Sequence, residues 1–516
     1  MGLLGIGLLI LAASATALSP PAGSDTDPTA LVGEGGSFLT PVTDVLLKAD
    51  PGISPLNPTY TDANLDTAIA DFAGTGPGEF GTDFVVSERP LTSKEAATAT
   101  ADGRTFAYVP FAATPVAIAT LAVCNPTELT GNSTAALCPD IPLTAEQAAL
   151  LFTFNLTNSS VSPNQGLPNA LTGWSDSRLT QANGQPMPSG GIYQASTLEP
   201  SAENTALMTF LDSDPTAKEL FDNALNSQAG KETTSSDTPS ETWPFQGTNA
   251  FVGGDAGLVG KELNLDAETG SPSEANSWQL GNVFPLSSVW AAAPEGTPWN
   301  VPTAAIENAA GKFVPPTEAA AASSEGDATM DPTTNLVTFA ANPNNATAYN
   351  NYMMVESYLV VPTSGLTAAK AAKLAQYIRF VVGPEGQSDE ETVGSAPPTP
   401  SMVAADLKVA DQVDAVATKS ASGATTSGGS SSSSGSSGAS GGSSSSTTST
   451  TVATASTAGA ADPTGGTGNT GSGTGLASTG APSDVVPVFV VGFVMLALGA
   501  VGLYRLRRVR RRRVAP

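Results

Sequence analysis

The stretch DFVVSERPL, residues 83–91, reads as a short buried strand running directly into a turn, because Phe-Val-Val is closed by Ser-Glu-Arg-Pro. Upstream, ALVGEGGSFLTPVTDVLL (30–47) has an apolar start, a glycine-rich turn and a Ser-Phe leading into a helix-like run. That order predicts strand, turn and helix N-terminus, and such a turn can offer backbone N–H groups to an anion. Downstream, FAYVPFAATPVAIATLAV (106–123) has the pattern of a buried strand. LTAEQAALLFTF (143–154) opens with a capping-box pair, Thr144 and Gln147, and continues as an amphipathic helix. Further along come LTGWSDSRL (171–179), AIENAAGKFVPPT (305–317), MMVESYLVVP (353–362) and AAKAAKLAQYIRFVVGPEGQ (368–387). The last of these is a helix with a Gly-Pro stop. Strands alternate with helices, so the expected class is α/β.

Composition removes several chemistries. There is no histidine, which excludes Ser-His-Asp and Cys-His nucleophilic sites and His-ligated zinc. The formal charge is −26, and seven arginines lie behind residue 504 without any acid, so the preceding part carries −33. Such a surface repels nucleic acid. Cys124 and Cys138 are too few for a thiolate metal site. In an exported chain they are expected to form one disulfide closing a loop of about 15 residues, the other reading being two buried thiols. Nothing calls for a cofactor or a metal, and no motif has catalytic spacing, so an enzyme is not expected. Trp243, Trp278, Trp290 and Trp299 are read as packing residues.

The two ends are organised differently from the middle. Residues 1–17 have a short apolar core and small residues in an A-x-A arrangement, a secretory signal cleaved after Ala17, although the usual positive start is missing. Roughly 400 residues, 25–415, remain for globular structure, enough for two domains. From 420 to 475 the chain is nearly all Ser, Gly, Thr and Ala, a disordered spacer. The run VVPVFVVGFVMLALGAVGLY (485–504) carries no charge and is long enough to span a bilayer. The basic tail, 505–516, fixes its own end inside the cell, so the acidic region faces outward.

Two resemblances follow from these segments. LASTG (476–480), the apolar span and the basic tail, in that order, resemble the cell-wall sorting signal of Gram-positive surface proteins. The resemblance implies that a sortase cuts between Thr479 and Gly480 and joins the chain to peptidoglycan. The other reading of the same segments, a plain single-pass anchor, also leaves the chain tethered outside the membrane. The folded part resembles the PstS-like phosphate-binding proteins of ABC transporters, type 2 periplasmic binding proteins, in order over most of residues 30–405. GEGGSF is similar to the family's first ligand loop, DFVVSERPL to its Asp-Phe-x-x-Ser-Asp-x-Pro-Leu element, and TAEQAALLF…GWSDSRL to its helix followed by Ile-x-x-Trp-x-Asp. The implied fold is two α/β lobes joined by two crossovers, lobe 1 from 25–110 and 355–415 and lobe 2 from 111–354, with ligand in the cleft between them.

The departures from the family decide what the cleft is expected to hold. The family's second lobe supplies an Arg and a Ser-Gly-Thr at a helix N-terminus. Here YQASTLEPSAENTALMTFL (193–211) has no Arg, and Ser201, Asn204 and Thr205 belong to the Ser-Ala-Glu-Asn-Thr that replaces the triplet. If Ser201 caps the helix, Glu203 falls in its first turn and opposes a dianion there. In the first lobe Glu88 stands where the family has an Asp, and NLDTAIADF (64–72) replaces a Gly-Ser-rich turn. The ligand candidates are Ser37, Phe38, Ser87, Glu88 and Arg89 on this side and Ser201, Asn204 and Thr205 on the other, Arg89 either contacting an anion or pairing with an acid. The expected function is a surface-anchored substrate-binding protein for phosphate or another small solute, working with an ABC permease. The alternative is a wall-anchored surface or adhesion protein that uses the same fold as a scaffold.

Overall fold

The computed structural model describes residues 30–48, 58–76, 78–125, 137–153, 171–197, 200–227, 242–244, 250–251, 282–292 and 301–424. The signal segment, the sorting pentad, the apolar run 485–504 and the basic tail lie outside the described residues. So does the spacer beyond 424, since the last helix, Pro400–Ala424, runs past the expected start of the spacer at 420. Among the described residues no helix is long and apolar enough to cross a membrane.

The architecture is mixed α/β around a seven-stranded sheet. Its strands are β1 (Val32–Gly35), β2 (Thr59–Asp62), β3 (Phe84–Ser87), β4 (Phe106–Thr120), β5 (Tyr193–Gln194), β6 (Asn282–Ser287) and β7 (Met354–Pro362). They lie in the order β2-β1-β3-β7-β4-β6-β5. β1 runs parallel to both β2 and β3, β7 is antiparallel to β3 and β4, and β6 is antiparallel to β4 and parallel to β5.

β4 explains its own apolar run. From Tyr108 to Thr120 every residue is buried, so both faces of the strand are covered and no polar alternation is needed. Its first part pairs with β7 as far as Pro115, and from Val116 it pairs with β6. Pro110 and Pro115 bring no N–H to the ladder. A register shift opposite Ser357 and Tyr358 and the change of partner fall beside these two prolines.

The local signals act as their chemistry requires. Thr144 accepts from the Gln147 N–H while the Gln147 side chain accepts from the Thr144 N–H, which fixes the start of the helix Ala145–Phe152. The turn after β1 is a short 3-10 segment, Ser37–Leu39, that leads into the helix Thr40–Lys48. One local expectation is corrected. Gly383-Pro384 does end the helix Ala368–Val381, but Pro384 also begins a further helix, Pro384–Thr392, because its fixed φ suits a first turn. Cys124 and Cys138 are joined as a disulfide, with Cα atoms 5.0 Å apart.

Candidate functional site

The residues picked out by sequence converge in part on a small cleft open to solvent. Its walls come from four places in the chain. Gly36, Ser37 and Phe38 follow β1; Ala63, Asn64 and Leu65 follow β2; Glu88 follows β3; Thr197, Pro200, Ser201, Ala202 and Glu203 lead into the helix Ala202–Asp212. Each segment is the exit of a strand or the entry of a helix. Backbone N–H groups and short side chains therefore meet there before regular pairing resumes.

Ser37, Phe38, Glu88 and Ser201 thus line one cleft. Phe38 is buried and belongs to the core beneath the loop. The loop is fastened from a distance, since the Trp290 indole N–H donates to the Ser37 carbonyl at 2.8 Å. Trp290 therefore positions the loop, a role its apolar context did not reveal. The Glu88 carboxylate folds back over Gly36: a Cβ there would stand 2.5 Å from Glu88 Oε1. Gly36 is what lets the carboxylate and the loop backbone approach so closely.

The other four candidates are placed elsewhere. Ser87 is fully buried and its hydroxyl donates to the Arg89 carbonyl at 2.6 Å, closing the turn after β3. The Arg89 guanidinium pairs with Glu95 at 2.9 Å and Asp66 at 3.0 Å. Asn204 is fully buried; its amide donates to the Thr197 carbonyl and its Oδ1 accepts from Ser196. Asn204 ties the segment before the helix to the helix itself. The Thr205 hydroxyl reaches back to the Ser201 carbonyl at 3.5 Å.

On the second side of the cleft Ser201 caps the helix, its Oγ accepting from the Asn204 N–H at 3.3 Å. Glu203 sits in the first turn, where the helix dipole favours its negative charge. Glu203 is nevertheless only 2% exposed, and its Oε2 meets no hydrogen-bond partner in the protein. On the first side Asn64 caps the helix Leu65–Ala73 by accepting from the Asp66 N–H at 3.1 Å. The Asn-Leu-Asp spacing is the signal that could have marked Asn64 as a cap, although the sequence reading did not use it.

The electrostatics follow from this inventory. None of the described residues lining the cleft is a lysine or arginine, and two are glutamates. Among the described residues no group of His, Cys, Asp or Glu is arranged to hold a metal ion. The cleft can offer carboxylates, hydroxyls and one amide, with Phe38, Leu65 and Pro200 as apolar wall.

No family model and no curated protein matches the chain. Several solved structures do. A phosphate-binding protein from Stenotrophomonas maltophilia is 14% identical, covers 74% of this chain and 93% of its own, and superposes with a TM-score of 0.45. A high-affinity periplasmic phosphate-binding protein solved with phosphate is 13% identical over 72% of this chain and 92% of its own, with a TM-score of 0.47. PstS from Borrelia burgdorferi is 11% identical over 72% of this chain and 99% of its own, with a TM-score of 0.31. Likenesses at this level assign neither ligand nor site residue to this chain.

Proposed function

We propose that this chain is a PstS-like solute-binding protein, two-lobed, held at the outer face of the cell by its C-terminus and passing a small solute to an ABC permease. One observation carries the reading: Ser37, Phe38, Glu88 and Ser201, chosen from three separated motifs, line the same cleft. The spacer of about 55 residues spans roughly 40 Å as a random coil, which lets a tethered domain reach a permease. Attachment rests on the LASTG pentad, the apolar run and the basic tail.

The test is thermal unfolding of the full-length chain with and without excess phosphate, then with a panel of other small solutes. A ligand that binds the native state raises the midpoint by mass action. A saturable rise with any one solute supports the binding role. Silence across the panel favours the surface-scaffold reading, for which the specific observation is that Arg89 and Asn204 are both spent on internal contacts. Attachment is tested separately: Thr479→Ala should move the chain from the wall fraction to the membrane fraction.

A further inference from the structure

We propose that the cleft takes a small organic cation, a solute carrying an ammonium group, and that the Glu203 carboxylate is its direct ionic partner. This rests on the solute-binding reading above and names its substrate class.

Three observations point to an ammonium group. First, Glu203 lies in the cleft wall with 2% exposure, and its Oε2 has no donor from the protein. A buried carboxylate oxygen without a donor is costly, and a ligand N–H can satisfy it. Second, Glu88 brings another carboxylate to the same cleft from the β3 side, while the described lining holds no lysine or arginine. The nearest arginine in sequence, Arg89, is held by Glu95 and Asp66. Among the described residues of the lining an anion would meet two carboxylates and no lysine or arginine, and the Coulomb term from those carboxylates opposes it. Third, the remaining lining is suited to an organic body rather than a bare ion. Phe38, Leu65 and Pro200 can cover carbon, and Ser37 and Ser201 supply hydroxyls. No three acidic side chains come together to enclose a metal among the described residues.

The experiment is calorimetric titration of the full-length chain at physiological salt with putrescine, ethanolamine and glucosamine, and separately with inorganic phosphate and with glucose. The expected result is saturable binding of at least one of the three amines, weakened roughly tenfold or more by Glu203→Gln, as loss of a desolvated charge partner implies. Glu88→Gln should weaken it as well and serves as a second variant if Glu203→Gln does not fold. Glu219→Gln, an exposed acid away from the cleft, is the control for attraction to the acidic surface. Amine binding weakened equally by all three substitutions, or by none, overturns the proposal. Phosphate or glucose binding without amine binding also overturns it and leaves the solute-binding role standing. Absence of binding by all five probes overturns it and counts against that role too.

Discussion

The Arg89 guanidinium forks onto the Glu95 carboxylate, Nη1 to Oε2 at 2.9 Å and Nη2 to Oε1 at 3.0 Å, and its Nη2 also reaches Asp66 at 3.0 Å. Glu95 is at the same time the N3 residue of a capping box that starts at Thr92, accepting from the Thr92 N–H at 2.6 Å. Burial pushes its carboxyl up, but the Arg89 and Thr92 hydrogen bonds outweigh that and hold it below the ordinary glutamate value. The arginine thus secures the start of a helix. Arg89→Ala should cost about 1–3 kcal/mol in urea unfolding and leave the affinity of the cleft for its solute unchanged. A large loss of affinity with unchanged stability would place Arg89 at the ligand instead.

Two neighbouring glycines should respond differently to the same substitution. At Gly33 a Cβ would overlap the ring of Phe84, which is fully buried. Gly33→Ala should therefore destabilise by about 1–3 kcal/mol or more, through overpacking. At Gly36 the obstacle is the end of the Glu88 side chain, which can swing away. Gly36→Ala should cost little stability and change solute affinity, because it moves a carboxylate of the cleft. Denaturant unfolding and calorimetry on the two variants separate these outcomes.

Much of the fold was legible because the relevant physics is local. Thr144 and Gln147 are three residues apart, and β4 advertises two covered faces by being apolar throughout. The glycine-rich turn before Ser37 likewise announced a strand giving way to a helix. What could not be read depends on distant chain or on shared signals. Trp290 meets the Ser37 carbonyl across 253 residues, and no spacing rule reports that. Pro384 gives the same signal whether it follows a helix or begins one, and here it does both. Arg89 could be read as a surface pair or an anion contact; only the capping geometry, which turns Glu95 back toward it, selects Glu95 and Asp66. Glu203 was legible as a first-turn acid, whereas its burial in the cleft required the packing of the following helix.

The disulfide Cys124–Cys138 bridges positions 14 apart. Cys138 is fully buried and contributes its N–H to the Ala122 carbonyl at 2.8 Å, so the bridge joins two stretches of chain already held together. Its main effect is then on the unfolded chain, which it denies the freedom of that loop. The double substitution Cys124→Ser with Cys138→Ser should lower stability by roughly 3 kcal/mol in the chain-entropy treatment. Equilibrium unfolding of the variant against the oxidised protein reads the difference, and equal stabilities would contradict the account.

A group of buried acids sets the pH dependence of stability. Glu356 of β7, Glu325 at the end of the helix Glu318–Glu325, Glu390 of the helix Pro384–Thr392 and Asp406 of the helix Pro400–Ala424 are all almost wholly buried. Apart from a proton shared between Glu325 and Glu356, their carboxyl oxygens find no hydrogen-bond donor in the protein. Burial pushes Glu325 up to about 7 and Asp406 up to about 8. Burial also raises Glu356 well above the ordinary value, reinforced by the charges of Glu325, Asp406 and Glu390. Glu390 is raised by burial and by Asp389 and Glu391, and the nearby Tyr358 and Tyr377 are themselves raised chiefly by burial. Two facing carboxyls, Glu325 and Glu356, can bond to each other only while one keeps its proton. In each case the folded state holds a proton that the unfolded chain releases near its ordinary value. The contribution is therefore complete at acid pH and is lost as pH rises from about 4.5 toward the folded values of about 7 and 8. Unfolding midpoints measured from about pH 4.5 to about pH 8.5 should fall with rising pH. Mutual repulsion on the acidic surface has the same sign, but Glu356→Gln leaves that surface untouched and removes a buried titrating group. The variant should show a shallower fall than the parent protein, with its advantage growing toward alkaline pH. Parallel curves for the two would mean that the buried acids do not set the slope.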